Sequence, residues 1–201
     1  MFISLEGTEG VGKSTLIQSL QHYFEQQGRT VVLTREPGGT PLAEKIRALL
    51  LEKNDEQVDE SAELLLMYAA RCQHIRHTIQ PALDAGQVVI SDRFFDASFA
   101  YQCAGRGLSE HTLTLLNEHF IQLRPNITFW LDAPIEMGMA RAKNRGQLDR
   151  FEQESLQFFS RVRAGYEQLY QREPQRIVRL DATQSAADVF AQAVQVLESK
   201  I

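Results

Sequence analysis

Near the start of the chain, Gly7-Thr8-Glu9-Gly10-Val11-Gly12-Lys13-Ser14 meets every fixed position of the pattern G-x-x-x-x-G-K-[ST]. Each fixed position has a chemical task. Glycines let backbone N–H groups turn inward and approach a phosphate closely. Lys13 reaches the terminal phosphates, and the Ser14 hydroxyl suits Mg²⁺. A helix that starts behind the loop aims its positive end at the same anion. The chemistry implied is binding of a nucleoside triphosphate with its magnesium ion.

Two acids that close apolar segments, Asp92 and Asp132, are candidates for that ion. Asp92 is favoured because Arg93 follows at once and could hold a second phosphate; either acid could instead simply close a strand or cap a helix. A further cluster, Arg141, Lys143, Arg145 and Arg150 around Gly146, lies between two helical patterns. It could close over polyphosphate as a lid at about 141–151, since fixed guanidinium groups stabilise charge spread over moving phosphoryl oxygens. The same cations would also complement a helix carboxyl end.

These residues need a scaffold. Short apolar runs at 2–5, 30–33, 88–91, 127–131 and 177–180 read as strands, and helical periodicity fills the segments between them. Leu16, Ile17, Leu20 and Phe24 mark the first helix, stopped at Gly28. Leu42, Ile46, Leu49 and Leu50 mark the second. Residues 61–85 form one long pattern bent near Pro81, and 96–107 is less regular. Ser109 caps a helix, Pro134 opens the next, Phe151 to Leu169 lie along another, and Ser185 with Asp188 resembles a capping box for the last. The alternation of strand and helix patterns predicts an α/β fold: a five-stranded parallel sheet with helices on both faces, in one domain spanning 1–201. Ligands in such sheets sit at the strands' carboxyl ends, where Glu6 to Ser14, Arg35-Glu36, Asp92-Arg93, Asp132 and Asp181 fall.

With 201 residues and a net charge of −5, the chain is long enough for a substantial core and lacks the basic balance of a general nucleic-acid binder. Cys72 and Cys103 have neither C-x-x-C spacing nor histidine neighbours, which favours reduced thiols over a zinc site. No leader and no membrane-length apolar run is visible, so a cytoplasmic protein is expected. The guanine-reading N-K-x-D segment of regulatory GTPases is missing, which leaves small-molecule kinases and ATP-driven machines, with a turnover-free nucleotide switch as the alternative class.

Several segments together narrow the choice: Gly7 to Thr15, Thr34-Arg35-Glu36-Pro37-Gly38-Gly39-Thr40, Asp92-Arg93-Phe94 with Ser98, Ala100-Tyr101-Gln102, Gly105-Arg106-Gly107, and Leu148-Asp149-Arg150-Phe151-Glu152. They resemble the bacterial thymidylate kinases, nucleoside monophosphate kinases of the P-loop NTPase fold, over nearly the whole chain. The resemblance implies conversion of ATP and dTMP to ADP and dTDP, with Mg²⁺, in a homodimer. It implies that Gly7, Thr8, Glu9, Gly10, Val11, Gly12, Lys13 and Ser14 hold ATP and that Ser14 and Asp92 serve the metal. Arg93 and Arg47 would grip the acceptor phosphate, with Arg35 and Glu36 alongside, and Glu9 would accept the sugar 3′-hydroxyl. Arg71 would bond a thymine carbonyl, Ser98 and Gln102 would serve the base's polar edge, and Tyr101 would lie under the deoxyribose. Arg141, Arg145 and Arg150 would join Lys13 and Arg93 as the catalytic positive charge. Three positions depart from the family's habit. Met67 stands where a phenylalanine often stacks on the base, Cys103 where glycine is usual, and Lys143 at a place often held by arginine.

Overall fold

Alternating side chains divide the sheet's two faces, and both faces are covered. In β1 (Phe2–Glu6), Ile3 and Leu5 turn to one side while Phe2, Ser4 and Glu6 turn to the other. A computed structural model describes residues 1–52, 56, 58–143, 150, 151 and 153–200. β1 lies at the centre of a sheet completed by β2 (Val31–Arg35), β3 (Val88–Asp92), β4 (Ile127–Asp132) and β5 (Ile177–Asp181), in the order β2-β3-β1-β4-β5 with every pair parallel. The chain thus reverses its winding at β1, and the carboxyl end of β1 opens into the crevice where ligands bind in such sheets.

Helix α1 (Lys13–Gln26) and α9 (Ala186–Lys200) cover the Ile3 and Leu5 side through Leu16, Leu20, Phe24, Val189, Ala193 and Leu197. The opposite side carries α3 (Glu60–His74), α5 (Phe95–Ser98) and α8 (Leu156–Arg172), with Tyr68, Phe94, Phe159 and Tyr166 packed on Phe2, Val89 and Trp130. The described helices are completed by α2 (Pro41–Leu51), α4 (Gln80–Asp84), α6 (Glu110–Phe120) and α7 (Ile135–Lys143). None of the described helices is long and apolar enough to cross a membrane.

All five expected strands are present, but their carboxyl ends run on. β1, β3, β4 and β5 take in Glu6, Asp92, Asp132 and Asp181, and β2 reaches Arg35. The ladder is made of backbone bonds such as Arg93 N–H to Leu5 O at 2.9 Å and Glu36 N–H to Asp92 O at 2.9 Å, which ask nothing of the side chain's polarity. Registers pairing Leu5 and Arg35 with Asp92, and Asp132 with Asp181, bring these polar residues to one edge.

Some expectations need correction. The long pattern at 61–85 is α3, a π-helical turn at Ile75–Ile79, then α4, so the irregularity precedes Pro81. Gln80 N–H reaches back to Ile75 O, and Pro81 has no N–H to offer His77. The stretch read as irregular is helical: α5 runs into a π-helical segment, Phe99–Gly105. Phe151 precedes α8, whose amino end is capped by Ser155 accepting from Phe158 N–H at 3.1 Å. Ser109 sits at a helix start without a side-chain cap bond. At α9, Ser185 Oγ accepts from Asp188 N–H at 3.2 Å and donates to the Asp188 carboxylate at 2.6 Å. On α2, Leu50 is buried but Leu42 and Leu49 face outward.

The π-helical segment and α8 approach closely because glycines face each other's element. A Cβ on Gly105 would stand 2.7 Å from Phe158 Cε2, and one on Gly165 would stand 2.7 Å from Ala104 Cβ and 3.1 Å from Ala100 Cα. Gly165→Ala gains about 1 kcal/mol of helix propensity but forces a backbone shift costing about 1–3 kcal/mol. The expected result is a lower denaturant midpoint with the slope unchanged; a raised midpoint would contradict this packing.

Candidate functional site

The glycine loop follows β1 directly. Gly7, Gly10 and Gly12 all adopt left-handed backbone angles, and a Cβ on Gly10 would come within 2.0 Å of Gly138 O in α7. Only glycine fits there. The loop opens onto a cavity of about 670 Å³ lined by Glu9 to Leu16, Arg35, Arg47, Asp92, Arg93, Leu131 and Arg141, and by Ala182, Gln184, Ala186 and Val189 beyond β5.

Lys13 is buried and its ammonium donates to Thr8 O at 2.9 Å and Gly7 O at 3.2 Å. Burial, reinforced by Arg93, lowers its pKa to about 8 against the pull of Asp92, Glu9 and Glu6. A free-protein pKa there has a kinetic consequence. kcat/KM for the triphosphate is expected to be flat below pH 8 and to fall about tenfold per unit above it, as Lys13 loses its proton. A pH profile of the Lys13→Arg protein should lack that descending limb; the same limb in both would assign it elsewhere.

Asp92 ends β3 at the cavity wall, and its Oδ1 is buried without a hydrogen-bond partner. A buried carboxylate oxygen left unpaired is costly unless something else takes it up. With the exposed Ser14 hydroxyl in the same cavity, this is an oxygen-only donor pair that fits Mg²⁺ completed by phosphate oxygens and water. Among the described residues no group of three or more His, Cys, Asp or Glu could hold a metal unaided. Asp132, the other acid candidate, is engaged by Arg163 at 2.6 and 2.9 Å and by Arg179 at 2.5 Å. It is a structural anion.

Arg93 stands between this cavity and a smaller one. It is the non-glycine residue with a left-handed backbone among those described, at φ 72°, which costs about 1–2 kcal/mol. Its guanidinium donates to Gly7 O and Glu9 Oε1, both at 2.8 Å, and to the Tyr166 hydroxyl at 3.2 Å, and lies over the Tyr101 ring at 4.8 Å. Glu9 also accepts the Tyr101 hydroxyl at 2.8 and 3.0 Å. Behind them Glu6 accepts from Tyr166 Oη at 2.8 Å and Phe94 N–H at 2.7 Å. Burial and Asp96 push the Glu6 carboxyl up to about 8, against Arg93, Tyr166 and the Phe94 N–H.

The smaller cavity, about 90 Å³, is lined by Glu9, Glu36, Arg47, Leu51, Met67, Arg71, Phe94, Ala97, Ser98, Tyr101, Gln102 and Phe151 among others. Arg71 is fully committed on its inner side. Nε donates to Glu36 at 2.6 Å, Nη1 to Ser98 Oγ at 3.1 Å and Nη2 to Phe94 O at 3.3 Å. Glu36 also takes His74 Nδ1 at 3.0 Å, and His74 Nε2 meets Thr34 Oγ1 at 2.6 Å. The His74 ring fills the space where Gly39 has no Cβ. Arg71 is raised above its ordinary value: burial would lower it, but Glu36 and Tyr68 outweigh that.

The structure therefore gathers Lys13, Ser14, Asp92, Arg93, Arg35, Arg47 and Arg141 about one cavity, and Glu9, Glu36, Met67, Arg71, Ser98, Tyr101 and Gln102 about the other. Arg35 is exposed and paired with Glu44 at 2.8 Å, and Arg47 donates to Pro37 O at 2.9 Å. Arg141 reaches Ala182 O at 3.5 Å. Arg150 is not on the phosphate cavity; it donates to Leu50 O at 2.8 Å and to Glu63 Oε2 at 2.6 Å. Arg145 lies outside the described residues. Cys103 has a helical backbone rather than the left-handed one that would demand glycine, and both thiols are free.

Sequence reasoning missed Glu63, His74, Tyr166 and the far wall beyond β5 at Ala182 and Gln184. A signal existed for the first two. Glu63, Met67, Arg71 and His74 follow at intervals of four, four and three, one face of α3.

A thymidylate kinase family model matches residues 5–193. A thymidylate kinase of Acinetobacter baumannii is 64% identical over 98% of this chain and all of its own. That of Acinetobacter baylyi is 60% identical over the whole of both chains. The crystal structure of thymidylate kinase from Ehrlichia chaffeensis superimposes with a TM-score of 0.81 at 32% identity, covering 98% of each chain.

Proposed function

The chain belongs to the thymidylate kinase family, and we propose that it transfers the terminal phosphoryl group of Mg·ATP in line to dTMP, giving ADP and dTDP. The observation that carries this reading is Arg93, held between a phosphate-loop cavity and a smaller pocket with an arginine on its wall. Two polyanions can meet there only if cations offset their repulsion.

In this reading Gly7 to Ser14 hold the ATP phosphates, and Arg93 and Arg47 grip the acceptor phosphate with Arg35 near it. Arg71, Ser98 and Gln102 read the thymine edge beside Met67. Tyr101 packs under the deoxyribose, and Glu9 takes the 3′-hydroxyl. Ser14 and Asp92 would hold Mg²⁺, whose chemistry is to neutralise charge on the bridging phosphate oxygens. Lys13, Arg93 and the arginines of the segment 141–151, Arg141, Arg145 and Arg150, supply positive charge as the phosphoryl group moves. Arg150 must leave Glu63 to take part. Closing this segment excludes water and so limits loss of ATP to hydrolysis. The chain works as one domain, in the cytoplasm. It pairs as a homodimer through the adjoining surfaces of α2, α3 and α6, where Leu42, Leu49, Leu65, Leu115 and Phe120 are exposed.

The test is ADP release with Mg·ATP across dTMP, dUMP, dCMP, dGMP, dAMP and UMP. Strong stimulation by dTMP and weaker by dUMP is expected, since one methyl group is worth only about 1–3 kcal/mol. Stimulation by another monophosphate alone would refute the base assignment, and ADP release that ignores every acceptor would indicate a switch.

A further inference from the structure

We propose that Glu63 determines base specificity: it accepts the Gln102 amide N–H and so turns the Gln102 carbonyl toward the acceptor base. The site then takes pyrimidines with an imide N–H and rejects those with a ring-nitrogen lone pair in that place. This rests on the reading of the smaller cavity as the base pocket.

A glutamine amide offers a carbonyl on one side and an NH₂ on the other, and an unrestrained one can rotate to suit either kind of base. Gln102 is not unrestrained. It is 2% exposed, and its Nε2 lies 2.9 Å from Glu63 Oε1. A carboxylate can only accept, so the nitrogen belongs on that side and the carbonyl on the other. Glu63 cannot turn away. Its two oxygens also receive Arg106 Nε at 3.1 Å and Arg106 Nη2 at 3.2 Å, at 1% side-chain exposure, and these bonds remain when Arg150 gives up its own at 2.6 Å. Moving it would break both charge-assisted bonds from Arg106. Burial would raise the Glu63 carboxyl, but the bonds from Arg106, Gln102 and Arg150 hold it below the usual carboxylate range, which keeps it an acceptor.

The rest of the pocket is equally fixed. Arg71 lines it as a cation held by Glu36, and Ser98, whose oxygen accepts from Arg71, keeps its hydrogen to donate. The pocket therefore offers donors beside one acceptor. Thymine and uracil present a carbonyl next to an N–H, which matches. Cytosine presents an amino group next to a lone pair and meets a like group at both points. Among side chains as buried as Arg71, Ser98 and Gln102, each mismatch leaves a polar group unpaired.

The test compares kcat/KM for dTMP and dCMP at saturating Mg·ATP in the wild type, Glu63→Gln, Gln102→Met and Arg106→Met, with a thermal melt of each. Glu63→Gln lets the amide turn and should lower the dTMP:dCMP ratio about ten- to a hundredfold. Arg106→Met also disturbs the buried cluster but leaves the Glu63–Gln102 bond, so it should lower the melting temperature without moving the ratio. Gln102→Met should cost dTMP alone, with dCMP unchanged or improved. A folded Glu63→Gln protein with an unmoved ratio would overturn the proposal. So would a parallel loss of both substrates in Gln102→Met, which decides the matter even if Glu63→Gln does not fold. A wild type that ignores dTMP would instead refute the reading on which the proposal rests.

Discussion

Replacing Lys13 with methionine is expected to lower kcat about a hundred- to a thousandfold and to leave the protein folded. In the proposed function this ammonium lies beside the ATP phosphates; in the structure it donates to Gly7 O and Thr8 O. Its loss would remove a charge from oxygens whose charge redistributes during transfer. Stability should move the other way. Folding lowers the Lys13 pKa from 10.5 to about 8. Below pH 8 the folded state therefore carries a penalty that the unfolded chain does not, and between 8 and 10.5 that penalty fades. A neutral side chain of similar length never carries it. Steady-state kinetics and a denaturant melt at pH 7 check both halves. An unchanged kcat would remove Lys13 from the transfer step, and a large fall in stability would mean that the kinetic loss reported unfolding.

The second large effect is expected at Arg71. Arg71→Met should reduce kcat/KM for dTMP about a hundredfold, the upper range for a lost bond to a charged group, with KM for ATP unmoved. It should also cost about 3–5 kcal/mol of stability, because Glu36 is left buried with His74 alone. Arg71→Lys restores the charge but not three divergent donors, and should recover stability better than dTMP use. If either variant instead raises KM for ATP while sparing dTMP, the two cavities have been assigned the wrong way round.

How much of this could be read from the sequence follows from the range of the forces involved. The loop at Gly7 to Ser14 and the five strands were legible because each is a local pattern, fixed by glycine geometry or by an unbroken apolar run. Arg93, Asp92 and Glu36 were legible as positions because strand ends in a parallel sheet collect at one edge. What was not legible depends on packing between distant segments. Residues 99–105 looked irregular because their small residues are matched to α8 more than fifty positions away, Ala100 and Ala104 to Gly165 and Gly105 to Phe158 and Val162, rather than to a helical stripe of their own. Leu42 and Leu49 read as core by periodicity, yet they face outward because α2 is buried through Ala43 and Leu50. For Glu63 the sequence carries only its spacing with Met67 and Arg71 along α3. Its partners come from positions 102, 106 and 150, and only the fold brings them to one carboxylate.

The central claim is that the terminal phosphoryl group of ATP passes to dTMP, with little lost to water. Its most direct test is to count dTDP formed against ADP released, with Mg·ATP in excess and dTMP limiting, until the acceptor is consumed. The account predicts equal amounts, with ADP release ceasing when dTMP runs out. ADP accumulating without dTDP, or continuing after dTMP is gone, would contradict it.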